Sequence, residues 1–330
     1  QTPNPKPQTP NPKPLIIMQR VLKGFRGCLV NPQELKSALG KPNLRIVNAT
    51  VGRPLADRDN DAVFLKERIP GSTMMDIDKV ADHSRKGISH QTPQEKEFCE
   101  HMKTLDISNK DEIVLYDDNF TAGACKAFFS FKQYGINPWI LDGGFGAWKK
   151  AGYPLETGPV THKHRNLDPK LYQFKLNPKE MWDINDVNSC SLLMRTKNLD
   201  YEILDARAGP RFRSEVDEPR PGLRRGNIPG SKNVFFKDLL NADGTFKSEE
   251  EIKQVFAKAG VDLNKNIGMS CGSSVTASVL YTALQLIGHK KGRYIYGPSW
   301  SEYGQNPQVS DADIQKNNLP KSSWYKTIGK

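Results

Sequence analysis

Cysteine is scarce and scattered in this sequence. The 330 residues hold five, Cys28, Cys99, Cys125, Cys190 and Cys271. An odd number at wide spacing is a poor disulfide framework, and free thiols suit a reducing compartment, the cytoplasm or the mitochondrial matrix. No Cys-x-x-Cys pair and no His/Cys cluster occurs, which argues against zinc. No metal and no cofactor is expected. No apolar run nears the roughly 18 residues of a membrane span, so no membrane partner is expected. A Gly-Lys-Ser/Thr phosphate loop is missing too.

What is present is ordinary globular material, 37% hydrophobic and 26% charged, enough for two domains. The net charge is +11, but the basic residues are spread along the chain. No recognition helix or RNA-binding signature accompanies them, so a solvated basic surface is expected, not nucleic acid. The chain opens with a seven-residue unit written twice, QTPNPKPQTPNPKP, whose six prolines deny helix and sheet their donors. Residues 1–27 therefore read as an extended tail with a short basic targeting segment, Met18 being the expected native start. Residues 305–330 read as a loose polar extension.

The body of the chain is written twice. LRIVNATVGRP (44–54) resembles YEILDARAGPR (201–211), and ERIPGS resembles GNIPGS. NKDEIVLYDDNFTAGACKAFF resembles NKNIGMSCGSSVTASVL, and WILDGGFGAW resembles RYIYGPSWSEY, in one order, about 155 residues apart. Each half reads as strands alternating with helices and no hairpin signal, a mainly parallel α/β sheet. The expected strands include 45–49, 112–116, 202–206 and 266–270; the expected helices include 94–105, 122–133, 249–259 and 275–287. The expected domains are 28–154 and 179–304, joined by a linker over 155–178 rich in Pro, His and Lys.

Cys271 follows a buried strand and precedes a helix. In such sheets ligands bind where strand ends meet helix N-termini. Gly272, Ser273 and Ser274 let the backbone curl with several N–H groups inward, a cradle for an anion. A phosphatase would need arginine six residues after the cysteine, where Ala277 stands; a thioredoxin-type site would need a second cysteine at Ser274. A nucleophilic thiolate able to hold sulfur remains. The other four cysteines read as small buried hydrophobes. In the first half Asp117 aligns with Cys271, so that half has the cradle without the nucleophile.

CGSSVTA, RIPGS, NIPGS, LDGGFGAW, LDARAGPRFR and PSWSEY, in two ordered copies over about residues 28–304, resemble the tandem rhodanese-domain sulfurtransferases. Gly272 and Ser273 stand where the thiosulfate-using branch has Arg-Lys, as in the branch that uses 3-mercaptopyruvate. The resemblance implies two rhodanese-like domains, an inert first and a catalytic second. It implies transfer from a small anionic donor through a Cys271 persulfide to thioredoxin or a small dithiol. Thiosulfate as donor, or an inactive binding module, are the alternatives. By resemblance, Arg211 and Arg220 meet the donor's carboxylate, and Gly272, Ser274, Val275 and Thr276 form the loop. Ser273 relays a proton, Asp78 and His90 come from the first domain, and Trp300 lies near the pocket. Three features depart from the family: Ser274 replaces a glycine, Gly297-Pro298 replaces Asp-Gly, and residues 76–90 differ. If position 274 needs φ > 0, serine strains the loop.

Overall fold

The computed structural model describes residues 22–52, 59–118, 121–161, 164–196 and 200–305. The expected opening tail with Met18, and the extension after residue 305, lie outside the described residues.

The first half runs β1 (Leu29–Val30), α1 (Pro32–Ala38), β2 (Leu44–Asn48), α2 (Asn60–Lys66), β3 (Ser72–Met74), α3 (Glu95–Thr104), β4 (Glu112–Tyr116), α4 (Ala122–Gln133), β5 (Trp139–Leu141) and α5 (Gly144–Lys150). The second runs β6 (Met181–Trp182), α6 (Ile184–Thr196), β7 (Tyr201–Asp205), α7 (Gly209–Phe212), β8 (Lys232–Asn233), α8 (Glu249–Lys258), β9 (Asn266–Ser270), α9 (Ala277–Leu286), β10 (Arg293–Tyr296) and α10 (Ser299–Tyr303). Strand matches strand and helix matches helix. The sheets are ordered β1-β5-β4-β2-β3 and β6-β10-β9-β7-β8, all parallel.

The central pairs share one register: Asn48 lies opposite Tyr116 as Asp205 lies opposite Ser270. These strands are apolar on both faces because helices cover both. The two-residue edge strands β1 and β6 carry too little alternation to be read from sequence. Two expected strands end one residue early, at Asn48 and Asp205, and α9 starts at Ala277 rather than 275, because Ser274 is left-handed (φ 66°).

Between the halves, α4 packs on α9, and Phe129 meets Tyr281 edge to face with ring centres 5.1 Å apart. One apolar core runs through this contact, from Phe98 and Phe128 to Leu280 and Phe256. The connecting segment is packed down as well. Glu156 pairs with the buried Arg68, and Phe174 stands edge-on to Phe98.

Each half caps the other's central loop. Thr121 Oγ1 donates to the Gly244 carbonyl, and Asp142 Oδ1 accepts the Phe246 N–H. In the opposite sense, Ser274 Oγ reaches the His90 carbonyl at 3.5 Å. This exchange places first-half side chains over the Cys271 loop.

Candidate functional site

Cys271 leaves β9 and enters a loop held from behind by the first turn of α10. Ser299 Oγ accepts the N–H groups of Cys271 (3.1 Å) and Ser274 (3.2 Å). The Trp300 N–H donates to the Cys271 carbonyl, and Ser301 donates to that of Gly272 through N–H and hydroxyl. The carbonyls of Cys271 and Gly272 thus face α10. The N–H groups of Gly272, Ser273, Val275 and Thr276 have no acceptor among the described residues, as an anion cradle requires.

The first-half loop is built alike but filled from within. Asp117 follows β4, and its carbonyl accepts the Phe145 N–H as that of Cys271 accepts Trp300. Its carboxylate takes the N–H groups of Thr121 (2.9 Å), Gly123 (2.6 Å) and Ala124 (3.1 Å). Three backbone donors on one carboxylate satisfy orphan amides at the start of α4.

Cys271 lines a cavity of about 370 Å³ together with Gly272, Ser273, Val275 and Thr276. Arg211, Arg220 and Lys237 also line it, with His90, Gly52 and Ala122 from the first half. A Cβ at Gly272 would stand 3.3 Å from Arg220 Nη1 and 3.5 Å from Arg211 Nη2. Glycine there lets both guanidinium groups close on the loop.

The two arginines differ in their commitments. Arg211 forks onto buried Glu218, at 2.5 and 3.2 Å. Arg220 donates to the hydroxyls of Ser89 and Ser273, each at 3.2 Å. Burial pushes the Arg220 guanidinium below its ordinary range, and the Cys271 charge opposes that shift. A planar carboxylate is the natural guest between them.

A hydrogen-bonded chain crosses the domain boundary. Ser273 Oγ lies 2.8 Å from His90 Nδ1, and His90 Nε2 lies 2.5 Å from Asp78 Oδ1. Asp78 Oδ2 accepts the Gly52 N–H at 2.6 Å. Partner chemistry dictates the tautomer. An ionised Asp78 only accepts, so Nε2 carries the proton and Nδ1 accepts from Ser273, whose oxygen accepts from Arg220. Burial raises the Asp78 carboxyl, but His90, the Gly52 amide and Arg220 outweigh it, and the net shift is downward.

Two of the expected site residues do not line the cavity. Trp300 is fully buried behind the loop and does not line the cavity. Its indole holds two guanidinium groups, Arg207 at 4.4 Å and Arg224 at 4.7 Å, and Arg207 pairs with Asp205 and Glu218. Trp300 thus supports the carboxylate that holds Arg211. Ser274 is also fully buried and lines no part of the cavity. Its backbone takes the left-handed turn expected to strain a serine. His90 (φ 59°) and Ser299 (φ 52°) are left-handed as well, so non-glycine strain collects around Cys271. Arg224, one of the basic residues, is half-buried on Trp300 and Tyr303. Cys28, Cys125 and Cys190 are buried and burial raises each thiol, Cys28 to about 12. Among the described residues, no group of His, Cys, Asp and Glu could hold a metal ion, and no helix is long and apolar enough to cross a membrane.

Sequence reading missed Ser299, Arg207 and Lys237. Ser299 had a usable signal, since PSW repeats the turn-to-helix position of LDGGFGAW. Arg207 follows a strand ending in Asp205, an arrangement with no local signature.

A rhodanese-like domain model matches residues 31–151. The chain is 32% identical over 272 residues to the 3-mercaptopyruvate sulfurtransferase of Escherichia coli K12, covering 82% of this chain and 92% of that protein. It is 29% identical over 304 residues to the mitochondrial thiosulfate/3-mercaptopyruvate sulfurtransferase 1 of Arabidopsis thaliana, covering 87% of this chain and 78% of that one. The crystal structure of the Escherichia coli 3-mercaptopyruvate sulfotransferase SseA matches with a TM-score of 0.72 at 30% identity, over 83% of this chain and 99% of that chain.

Proposed function

The chain belongs to the 3-mercaptopyruvate sulfurtransferase family of tandem rhodanese proteins, and from that premise we propose that Cys271 carries sulfur from 3-mercaptopyruvate to a thiol acceptor. The observation that carries this reading is the convergence of Cys271, two guanidinium groups and the Ser273–His90–Asp78 chain on one cavity.

The donor's carboxylate lies between Arg211 and Arg220, which brings its sulfur to the Cys271 thiolate. The thiolate attacks that sulfur. An S–S bond forms, the donor's C–S bond breaks, and its electron pair moves to the adjacent carbon as the pyruvate enolate. The donor's thiol proton passes to Ser273 as the Ser273 proton moves to His90. Asp78 stabilises the imidazolium, and the return step protonates the enolate carbon. Pyruvate leaves, and Cys271 holds a persulfide anion in the amide cradle. A dithiol, thioredoxin or a small molecule, then takes the outer sulfur. The dithiol is oxidised to a disulfide, hydrogen sulfide leaves, and the Cys271 thiolate returns. Such chemistry fits a reducing compartment, the cytoplasm or mitochondrial matrix, as do five free cysteines.

A second reading, thiosulfate as donor, draws support from Lys237, a third cation at the cavity. Gly272 and Ser273 oppose it, because neither offers charge to a sulfonate.

Intact and peptide mass spectrometry after brief exposure to each donor, with pyruvate followed in parallel, tests both. The expected result is one added sulfur on Cys271 from 3-mercaptopyruvate as pyruvate appears. Better loading from thiosulfate would favour the second reading. No loading from either would leave a binding module.

A further inference from the structure

Lys126 lies in the second turn of α4, in the first half, with 2% of its surface exposed. Every other residue of α4 but Lys132 is also buried, in a run that reads AGACKAFFSFKQ. A lysine in such a helix is costly, because an ammonium loses its hydration there. Among the described residues it makes no ion pair; its ammonium rests 5.7 Å from the centre of the Phe129 ring. Ala122, one turn earlier on the same face of α4, lines the Cys271 cavity. Lys126 therefore stands one helical turn behind the cavity wall.

The elements packed on α4 bring little competing charge to Lys126. α9 offers Tyr281 as its one ionisable side chain, and β5 offers none. Glu112 of β4 lies at the far end of its strand, bonded to Trp139, and Glu180 sits by Gln133 at the opposite end of α4. The Asp117 carboxylate is held by the amides of α4. Burial pushes the Lys126 ammonium down to about 8, and the Cys271 charge pulls it back up.

We propose that Lys126 is a positioning residue for Cys271: a buried cation from the first half that stabilises the thiolate, and the persulfide anion after it, from beneath the loop. The persulfide role rests on the function proposed above; the thiolate role does not. The cations that line the cavity, Arg211, Arg220 and Lys237, belong to the second half, and the first two serve the donor's carboxylate. Lys126 therefore affects the sulfur more than donor binding. In water its attraction would be small, but in a dry interior the same charge separation counts for several times more.

The test is the pH profile of iodoacetamide alkylation at Cys271, followed by peptide mass spectrometry in reduced, donor-free protein. Lys126→Met keeps the apolar stem and removes the charge. Its alkylation midpoint is expected to move up by about one pH unit, a tenfold lower rate near neutrality. Lys126→Arg should restore the native profile. With 3-mercaptopyruvate, Lys126→Met should lower kcat and leave KM within about twofold. A Lys126→Met profile that overlays the native one, in protein whose melting temperature is unchanged or higher, overturns the proposal. If Lys126→Met does not fold, Lys126→Gln is measured in its place against the same criterion. Alkylation needs no sulfur donor, so a shifted profile in protein that no donor loads would uphold Lys126 and sink the transfer reading alone.

Discussion

The Asp117 carboxylate accepts the Gly123 N–H at 2.6 Å, in the loop of the first half that corresponds to the Cys271 loop of the second. The two halves thus solve one electrostatic problem differently. A curled loop at a helix N-terminus presents amides that require an anion. The first half supplies its own; the second leaves the place to sulfur and donor. Asp117→Ala would strand three buried donors, at about 1–3 kcal/mol for each one left without a partner. We expect a loss of about 3–5 kcal/mol in urea unfolding, with Asp117→Asn costing less. A loss under about 0.5 kcal/mol would contradict this account.

The partners of the two arginines separate their roles. Arg220 bonds to hydroxyls, so Arg220→Lys should raise KM for 3-mercaptopyruvate about tenfold or more, equivalent to about 1.4 kcal/mol, and leave the melting temperature nearly unchanged. Arg211→Met also removes a partner of buried Glu218, which keeps Arg207. It should therefore raise KM and lower stability together. Steady-state kinetics paired with thermal melts check both; equal melts for the two variants would contradict the distinction.

The parts of this design that could be read in the chain are those written locally. β4 and β9 appear with their full bounds because each is a short run with an apolar centre between polar turns. The Cys271 loop declares itself through small residues between a strand and a helix. Asp78, His90 and Ser273 are farther apart than any local pattern reaches, and the family resemblance alone suggested their meeting. The direction in which Trp300 faces was not legible, because a tryptophan one turn beyond a pocket strand gives no sign of it. Lys126 gave no signal, since a lone lysine in an apolar helix reads as a surface residue.

Ser274 is a natural site for relief of strain. Its φ of 66° costs a side-chain-bearing residue on the order of 1 kcal/mol that glycine avoids. The compensating bond from its hydroxyl to the His90 carbonyl is long, 3.5 Å, and therefore weak. Ser274→Gly should be neutral to about 1 kcal/mol more stable in denaturant unfolding, with Cys271 loading retained. Destabilisation beyond about 1 kcal/mol would show that the hydroxyl holds the two halves in place.

Asp142 gives the interface between the halves a pH dependence of its own. Burial raises its carboxyl to about 6, against the help of the Phe246 N–H. A group whose folded pKa lies above its unfolded one binds its proton more tightly in the folded state. Stability then falls as pH rises, between the ordinary aspartate value of about 4 and the folded value. The penalty is fully present above that window, on the order of 2 kcal/mol, and absent below it. Asp142→Asn keeps an oxygen to accept the Phe246 N–H and carries no charge. It should be more stable than the native chain at pH 8, and the advantage should shrink through pH 6 and vanish near pH 4. Urea unfolding of both proteins across that range is the measurement. A difference that does not change with pH would mean that Asp142 stays ionised at the interface, with Arg26, whose charge already opposes the shift, as the group that keeps it so.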